Sequence, residues 1–228
     1  MALDKKTSKQ VWQSSDVKDE AHYSAIITEK INGSQQLIQL MEKRLIGLDA
    51  KDGKLLWEAE WYGRVAVIPT PVFHDGVVYI TSGYGTGSGA FKIGKDNQVE
   101  QVYYNKVIKN HHGGTILVDG LMYGHSDKSG FVCQDFKTGE KVWSNKKISK
   151  GCVAFADGRF YFVQEKDGAV KLLDATKEGV EVKGEFVMGP QNKRRSRRGR
   201  IWVHPVISDG KMYLRDQEYI YCYDIKKK

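Results

Sequence analysis

One short motif recurs four times in this sequence and limits what the chain can fold into. The motif D-G-x-x-Y begins at Asp75, Asp119, Asp157 and Asp209, so that successive copies lie 44, 38 and 52 residues apart. Asp-Gly between apolar runs is a strong signal for a β-hairpin, because glycine accepts the positive φ that tight hairpin turns require. The motif therefore predicts four hairpins at near-regular intervals.

A second motif marks the end of the repeating unit. An aspartate is followed eight residues later by a tryptophan at Asp4–Trp12, Asp49–Trp57 and Asp135–Trp143. Residues 115–143 contain four short apolar runs separated by turn residues, which predicts four antiparallel strands. Four strands in about 40 to 45 residues are typical of a propeller blade. The sequence therefore predicts an all-β fold, a β-propeller built of about five four-stranded antiparallel blades.

The repeat also sets the expected domain organisation, which is a single β-propeller over residues 1–228. The chain begins within a blade and ends before a fourth strand, so we expect an open arc or partial propeller with exposed edge strands. A five-bladed ring closed by the N-terminal strand at Lys9–Trp12 is the alternative. The expected segments are a partial blade at 1–22, blades at about 23–61, 66–107, 111–147 and 150–187, a basic insertion loop at 188–200 and a partial last blade at 201–228.

The net charge of +8 comes from one segment rather than from a basic face. Six basic residues lie within Lys193–Arg200, and without them the chain has 30 basic and 28 acidic residues. No aromatic residue is interleaved with these arginines, which argues against a nucleic-acid partner. The segment is either a solvated loop or a docking site for an acidic partner or a phosphate. Its candidate side chains are Lys193, Arg194, Arg195, Arg197, Arg198 and Arg200.

Cysteine usage and hydropathy exclude several classes of protein. Cys133, Cys152 and Cys222 form no CxxC pair, which supports neither a disulfide framework nor a zinc site. Cys133 and Cys222 each precede a repeat aspartate by two residues, which predicts buried strand positions. No apolar run approaches the roughly 18 residues of a membrane span, and no secretion signal is visible. We therefore expect no membrane span, and a cytoplasmic protein if Met1 is the true start.

The repeated aromatic residues are interpreted as packing groups. Trp12, Trp57 and Trp143 end outer strands, where a large ring can lie between neighbouring blades and bury apolar area. The tyrosines of D-G-x-x-Y share one strand position and are expected to pack rather than react. These aromatic residues therefore support the fold prediction and do not by themselves assign a function.

Residues that depart from the repeat are the candidates for a binding site. His112 and His204 precede their Asp-Gly turns by seven and five residues, and His125 follows a repeat tyrosine, which predicts all three near one rim of the propeller channel. Neutral histidines there can bind a metal or orient a substrate, or can form hydrogen bonds that fix the strand ends. Arg215 and Asp216 are expected to form an ion pair at the same rim. The ligand-binding candidates are His111, His112, Gly113, His125, Tyr84, Trp202, His204, Arg215 and Asp216.

No catalytic constellation is apparent in the sequence. There is no Ser-His-Asp, HExxH or paired-glutamate pattern that would assign a nucleophile, a metal site or an acid–base pair. The glycine-rich segment Tyr84–Gly89 links two predicted strands and opens no helix, so it lacks the helix N-terminus that phosphate-binding loops use. It is therefore predicted to be a tight loop at the rim.

The closing pattern D-x-x-x-G-x-x-x-W resembles the pyrroloquinoline-quinone-like (PQQ-like) repeats of quinoprotein dehydrogenases and of the outer-membrane assembly scaffold lipoprotein of bacteria. The segments VIPTPVFHDGVVYITSGYGTGS, NHHGG and HPVISDGKMYLRDQEYIYCYD are similar to bacterial quinone-binding-like propeller proteins. The resemblance covers essentially the whole chain. It implies the C-terminal part of a longer protein, with a secretion signal and further blades before it, and therefore a periplasmic or cell-envelope location.

The resemblance implies two alternative functions. The first is a binding or scaffold module without enzymatic activity, with a protein or small-molecule ligand at the channel rim. The second is a quinoprotein alcohol dehydrogenase-like oxidoreductase, in which PQQ is held over calcium beside a catalytic Asp and a disulfide between adjacent cysteines. This sequence has no adjacent cysteine pair and no motif that places calcium ligands, so part of such a site would be missing. We expect a monomer or a dimer paired at its edge strands.

Overall fold

The chain forms two compact units in a computed structural model that describes residues 1–196 and 199–226. The first unit is Met1–His111 and the second is His112–Lys228. Both consist of antiparallel sheets, and the helical segment of the described chain is a 3₁₀-helix at Lys95–Asn97. None of the helical structure in the described ranges is long and apolar enough to cross a bilayer. The predicted all-β class is confirmed.

The first unit contains one two-stranded and two four-stranded sheets. Within each sheet the strands pair in chain order, so that neighbouring strands are joined by short connections. The strands are β1 (Ala2–Leu3), β2 (Gln10–Trp12), β3 (Ile27–Ile31), β4 (Ser34–Leu40), β5 (Arg44–Asp49), β6 (Leu55–Glu60), β7 (Val72–His74), β8 (Val77–Ser82), β9 (Gly87–Ile93) and β10 (Val99–Asn105).

The second unit contains two four-stranded sheets and one three-stranded sheet, again paired in chain order. The strands are β11 (Thr115–Val118), β12 (Leu121–Ser126), β13 (Gly130–Asp135), β14 (Lys141–Asn145), β15 (Gly151–Ala156), β16 (Arg159–Gln164), β17 (Ala169–Thr176), β18 (Gly179–Val187), β19 (Val206–Ser208), β20 (Lys211–Asp216) and β21 (Tyr219–Asp224). Residues 115–143 form the four-stranded sheet β11–β14, as their pattern predicts.

The Asp-Gly turns have the backbone conformation that their sequence predicts. At Asp119 and Gly120 φ is +48° and +78°, so both residues lie in the left-handed region that a type I′ hairpin turn requires. The same pair of positive φ values occurs in the copies that begin at Asp75, Asp157 and Asp209. A type I′ turn matches the right-handed twist of the two strands it joins, and the motif therefore fixes where each hairpin reverses.

Aromatic side chains between successive sheets form much of the core of the second unit. Tyr123 and Phe131 pack against Phe160 of the following sheet, with ring centroids 4.8 and 5.9 Å from its ring. Trp143 donates its indole N–H to the carbonyl of Thr176, also in the following sheet, at 2.7 Å. Burying a side chain of this size stabilises the fold by about 1.5–3 kcal/mol. The predicted packing role of these aromatic residues is confirmed.

The tryptophans of the first unit make two kinds of contact. Trp12, at the end of β2, donates its indole N–H to the carbonyl of Ala50 in the next sheet at 3.1 Å, and its ring covers Gly53. Trp57 is buried and instead donates to Oε1 of Gln36 in its own sheet at 2.7 Å. The repeated tryptophan therefore either ties one sheet to the next or satisfies a buried amide within its own sheet.

The outer face of the last sheet is exposed, and here one sequence prediction is wrong. Cys133 is buried, as expected, but Cys222 is exposed. Their cross-strand partners differ in the same way, since Tyr123 is 2% exposed and Tyr213 is 36% exposed. Cys133 and Tyr123 are covered by the sheet that follows theirs. Within the described residues no strand of the second unit follows β21, so nothing from that unit covers the equivalent position there.

Candidate functional site

Two side chains from separate parts of the second unit meet at the carboxylate of a third. His112 precedes β11, Glu165 follows β16, and Trp202 lies in the segment before β19. Nε2 of His112 and the Nε1–H of Trp202 each lie 2.8 Å from Oε2 of Glu165. The centroids of the His112 and Trp202 rings are 5.7 Å apart. We call these three residues the Glu165 cluster.

The Glu165 cluster extends from the interior of the second unit to its surface. The side chains of His112 and Glu165 are 6% and 16% exposed, whereas Trp202 is 64% exposed. Trp202 points outward because Ile201 and Val203, on either side of it, are buried in an apolar cluster with β20. In extended backbone, successive side chains point to opposite sides. An exposed indole is therefore held in one orientation by a largely buried carboxylate.

Hydrogen bonds keep Glu165 in its charged form. Burial raises the pKa of this carboxyl, but the hydrogen bonds from His112 and Trp202 outweigh burial, and the pKa is lowered from its ordinary value. The main chain of Glu165 is fixed as well, because it donates to the carbonyl of Lys150 and accepts from the N–H of Ile201, both at 2.9 Å. Both the charge and the position of this acceptor are thus set before any ligand binds.

Cys152, on β15, adds a thiol on the inner side of His112. Its Sγ lies 3.4 Å from Nδ1 of His112, so that thiol, imidazole and the carboxylate of Glu165 form one line of contacts. A thiol nucleophile site has the same order of groups. Here, however, the thiol is fully buried and burial raises its pKa to about 12. Because the thiolate is the reactive form, this thiol serves as a hydrogen-bonding group rather than as a nucleophile.

Two further histidines lie near His112. Burial lowers the pKa of His125, on β12, to about 4, and the negative charge of Asp127 offsets this only in part. His204 is exposed over part of its surface. Desolvation nevertheless lowers the pKa of its ring, although a hydrogen bond with the main chain of His112 acts in the opposite direction. His125 is therefore neutral at physiological pH.

Comparison with protein families assigns the repeat. Residues 1–145, more than half of the chain, match the family model described as outer membrane protein assembly factor BamB. The chain belongs to the BamB family of PQQ-like repeat proteins. The predicted resemblance to PQQ-like repeats is therefore confirmed. The sequence has no significant match among curated proteins.

Solved structures share the fold of this BamB-family chain. The crystal structure of BamB from Moraxella catarrhalis matches with a TM-score of 0.67 and 14% identity, over 96% of this chain and 64% of that one. Quinohemoprotein alcohol dehydrogenase from Comamonas testosteroni matches with a TM-score of 0.64 and 14% identity, over 93% and 48%. The computationally designed Ika8 protein matches with a TM-score of 0.61 and 12% identity, over 91% of this chain and 60% of that one. The chain thus spans less than two thirds of each of these proteins.

At such low identities the structural likeness shows the fold alone. It confirms the predicted β-propeller fold built of four-stranded antiparallel blades. BamB and an alcohol dehydrogenase match about equally well, because the same blade repeat supports both proteins. Function therefore has to be argued from the residues of this chain.

The structure separates the predicted ligand-binding residues into two groups. Tyr84 and His111 lie in the first unit, where their rings contact each other edge to face with centroids 4.7 Å apart. The second-unit residues that lie in or beside the Glu165 cluster are His112, Gly113, His125, Trp202 and His204. The glycine-rich loop after β8 carries Tyr84 and joins two strands, as expected.

Arg215 and Asp216 do not form the ion pair that the sequence predicts. Asp216 is buried and instead pairs with Arg195 of the basic segment, and it accepts a hydrogen bond from the main chain of Asn192 at 3.2 Å. Arg215 is exposed and donates to the carbonyl of Gln217 at 3.1 Å. Consecutive residues of a strand point to opposite faces of the sheet, so these two neighbours cannot pair across it.

The loop at 188–200, which carries the basic segment, is anchored to the second unit through its described residues. Besides the ion pair of Arg195 with Asp216, Tyr221 donates its hydroxyl to the carbonyl of Pro190 at 2.6 Å, and Gln191 donates to a carbonyl of the turn after β16. Arg197 and Arg198 lie outside the described residues. The cations that remain exposed are Lys193, Arg194 and Arg200. They are carried on a folded support rather than on a freely solvated loop.

The described residues offer no ready-made set of metal ligands. Within residues 1–196 and 199–226, no group of three or more His, Cys, Asp or Glu side chains is arranged to hold a metal ion. In the Glu165 cluster, Oε2 of Glu165 contacts both Nε2 of His112 and the Nε1–H of Trp202, while Nδ1 of His112 contacts Sγ of Cys152. These polar atoms are therefore engaged with one another.

The sequence does not predict Glu165 or Cys152 as site residues, and there is a physical reason in both cases. Neither residue belongs to a repeat motif, and each meets His112 only because two neighbouring sheets pack in a particular register. The alternation across Ile201, Trp202 and Val203 was a usable signal, because it places a large indole on the outer side of the segment. An indole N–H near buried structure needs an acceptor, and Glu165 is that acceptor.

Proposed function

We propose that this chain is a binding scaffold that holds a protein partner at a surface centred on Trp202, at the channel rim predicted from the sequence. The observation that carries the proposal is an exposed tryptophan whose N–H is fixed on Glu165, which is itself fixed on His112. Tryptophan is enriched among the residues that dominate interface energies. A side chain already held in place loses less entropy when a partner covers it.

The surroundings of Trp202 indicate the chemistry of the partner. The exposed cations Lys193, Arg194 and Arg200 precede it in the sequence, and Arg200 is only two residues away. The description of the family, outer membrane protein assembly factor, supports a protein partner from envelope assembly and a periplasmic location. Opposite charges at an interface rim speed association and favour one partner over others. We therefore propose a partner that presents an apolar pocket for the indole beside acidic residues.

The same geometry supports binding over catalysis. Oε2 of Glu165 and both nitrogens of His112 contact groups of the protein itself, and Cys152 is buried with a raised pKa. A nucleophile, a base and an open position for a substrate do not occur together in the Glu165 cluster. The arrangement instead orients Trp202.

Affinity capture from the envelope fraction of the source cells tests the proposal. Immobilised wild type, Trp202→Ala and Tyr23→Ala are compared, because Tyr23 is an exposed aromatic residue of the first unit and provides a matched control. We expect at least one protein retained by the wild type and by Tyr23→Ala and depleted about tenfold or more with Trp202→Ala, the size of a typical hot-spot loss. The same retained proteins from all three samples would contradict it.

The oxidoreductase alternative is tested separately with the purified chain. Incubation with PQQ and calcium, followed by gel filtration, shows whether a chromophore stays with the protein. Reduction of an electron-accepting dye by added alcohols shows whether the bound group is active. We expect neither, and stoichiometric chromophore retention with alcohol-dependent dye reduction would replace the scaffold proposal.

A further inference from the structure

A cavity of about 480 Å³ lies in the first unit, between the segment that follows β6 and the outer strand β10. Its size suits a small organic molecule. Trp61, Tyr62 and Tyr104 supply aromatic surface, and Arg64 and Lys106 supply positive charge. None of these residues belongs to the Glu165 cluster.

The walls of this cavity are joined by hydrogen bonds. Tyr104 donates its hydroxyl to the carbonyl of Thr86 at 2.5 Å, and Thr86 donates its own hydroxyl to the carbonyl of Tyr62 at 3.1 Å. The indole N–H of Trp61 donates to Ser82 at 3.0 Å. These bonds connect the segment after β6, the loop after β8 and strand β10. The side chains of Trp61 and Tyr104 and the main chain at Tyr62 are therefore held in place before a ligand arrives, which reduces the entropy cost of binding.

Several polar side chains of the cavity are uncommitted. The side chains of Glu60, Gln101 and Lys106 form no hydrogen bond or ion pair with any described residue. Arg64 donates from Nη1 to the carbonyl of Tyr84 at 3.2 Å, which leaves its other N–H groups for a ligand. Two cations against one carboxylate give the cavity a net charge of one positive unit, so a single negative charge on the ligand balances it.

Comparison of β10 with β14, the corresponding strand of the next sheet, shows that the aromatic wall of the cavity is not shared by the two sheets. Strands β10 and β14 end alike, in Asn105-Lys106 and Asn145-Lys146, and in both the asparagine side chain accepts the main-chain N–H two residues later. The residue before the asparagine is Tyr104 in β10 but serine in β14. The aromatic wall is thus added on top of the shared blade architecture.

We propose that this cavity binds a small monocarboxylate with a flat apolar body. The carboxylate lies between Arg64 and Lys106, and the apolar body lies against Tyr62 and Tyr104. Charge-assisted hydrogen bonds to arginine and lysine are the stronger kind, and a planar carboxylate matches the guanidinium. Glu60 disfavours a dianion such as a phosphate monoester, because the second negative charge would face another carboxylate.

Isothermal titration calorimetry with 4-hydroxybenzoate as the probe tests this proposal. Two comparison compounds keep the ring and change the charge: 4-hydroxybenzyl alcohol is neutral and phenyl phosphate is dianionic. We expect saturable one-to-one binding of 4-hydroxybenzoate and at least about tenfold weaker binding of both comparison compounds, the loss expected for a missing or opposed charge-assisted contact. Absence of binding, or equal affinity for the alcohol or the phosphate, would overturn the proposal.

Matched variants locate the binding. Lys106→Gln and Tyr104→Ser are each expected to weaken the binding of 4-hydroxybenzoate by about tenfold. Lys146→Gln removes the equivalent lysine of the next repeat and is expected to leave the affinity unchanged. Thermal unfolding of each variant shows that it remains folded. If Lys146→Gln weakens binding as much as Lys106→Gln does, the ligand responds to overall charge and the cavity assignment is wrong.

Discussion

Buried charge in the second unit is compensated residue by residue. Glu165 accepts hydrogen bonds from His112 and Trp202, and Asp216 pairs with Arg195 and with the main chain of Asn192. Removing one partner of such a buried group costs more than the intact pair contributes, because the remaining group stays desolvated and unpaired. Trp202 and the basic segment are therefore fixed in place by largely buried carboxylates.

His125 gives the second unit a pH-dependent stability. Its pKa is about 4 in the fold against 6.5 for the exposed group, so between these values the unfolded chain takes up a proton that the folded chain does not. Stability is then complete above pH 6.5 and falls as the pH is lowered towards 4, by about 3 kcal/mol. Urea unfolding of wild type and His125→Gln at pH 7 and pH 4 measures this difference.

Substitution of His125 changes both the level of stability and its pH dependence. His125→Gln is expected to lower stability at pH 7 but to flatten the profile between pH 6.5 and 4, because glutamine does not titrate. Equal pH profiles for wild type and His125→Gln would show that His125 is not held neutral in the fold.

At the scale of strands and sheets, the sequence predicts what depends on local chemistry. Strand β11 lies at Thr115–Val118, where the apolar run predicts it, and the turn at Asp119-Gly120 has the predicted φ values. Burial of Cys222 is wrongly predicted, because burial depends on whether another sheet covers the strand. His112 and Trp202 are predicted as site residues, but their meeting at Glu165 is not, since the register between neighbouring sheets leaves no mark on the sequence.

Two glycines separate turn strain from close packing. Gly120 has a φ of +78° and open space around its α-carbon, so Gly120→Ala costs only backbone strain, about 1–2 kcal/mol. At Gly113 a β-carbon would lie 2.0 Å from the carbonyl oxygen of Gly151, and this strand cannot give way cheaply. Gly113→Ala is therefore expected to cost about 3 kcal/mol. Chemical denaturation measures the loss of unfolding free energy in each variant. A larger loss for Gly120→Ala than for Gly113→Ala would contradict the packing of β15 beside Gly113.

The exposed face of the last sheet predicts the reactivity of the three thiols. Under native conditions we expect Cys222 to react with Ellman's reagent, while Cys133 and Cys152 stay protected because burial raises their pKa values to about 11 and about 12. In denaturant all three should react. The Cys222→Ser variant should lose the fast native reaction. Fast reaction of this variant would mean that another thiol is accessible.

At the scale of the whole molecule, the net positive charge is concentrated in the basic segment Lys193–Arg200, which ends two residues before Trp202 in the sequence. Replacing Lys193, Arg194 and Arg200 by glutamine removes three exposed cations and leaves the buried ion pair of Arg195 intact. We expect this variant to elute from heparin at clearly lower salt than the wild type, since attraction between exposed charges is screened by salt. Its thermal stability should change little.

The exposed lysines at the N-terminus provide a control with the same loss of charge. Replacing Lys5, Lys6 and Lys9 by glutamine lowers the net charge equally but far from Trp202 in the sequence. We expect a smaller shift in heparin elution for this control. An equal shift for the two triple variants would mean that heparin responds to total charge and not to the basic segment.

Site-specific photo-cross-linking in the source cells tests the central claim most directly. A photoreactive phenylalanine analogue is placed at position 202 or, as control, at position 23, and cross-linked proteins are identified by mass spectrometry. A protein partner centred on Trp202 predicts one dominant adduct from position 202 that is absent from position 23. Adducts that are absent from position 202, or equally abundant from both positions, would contradict it.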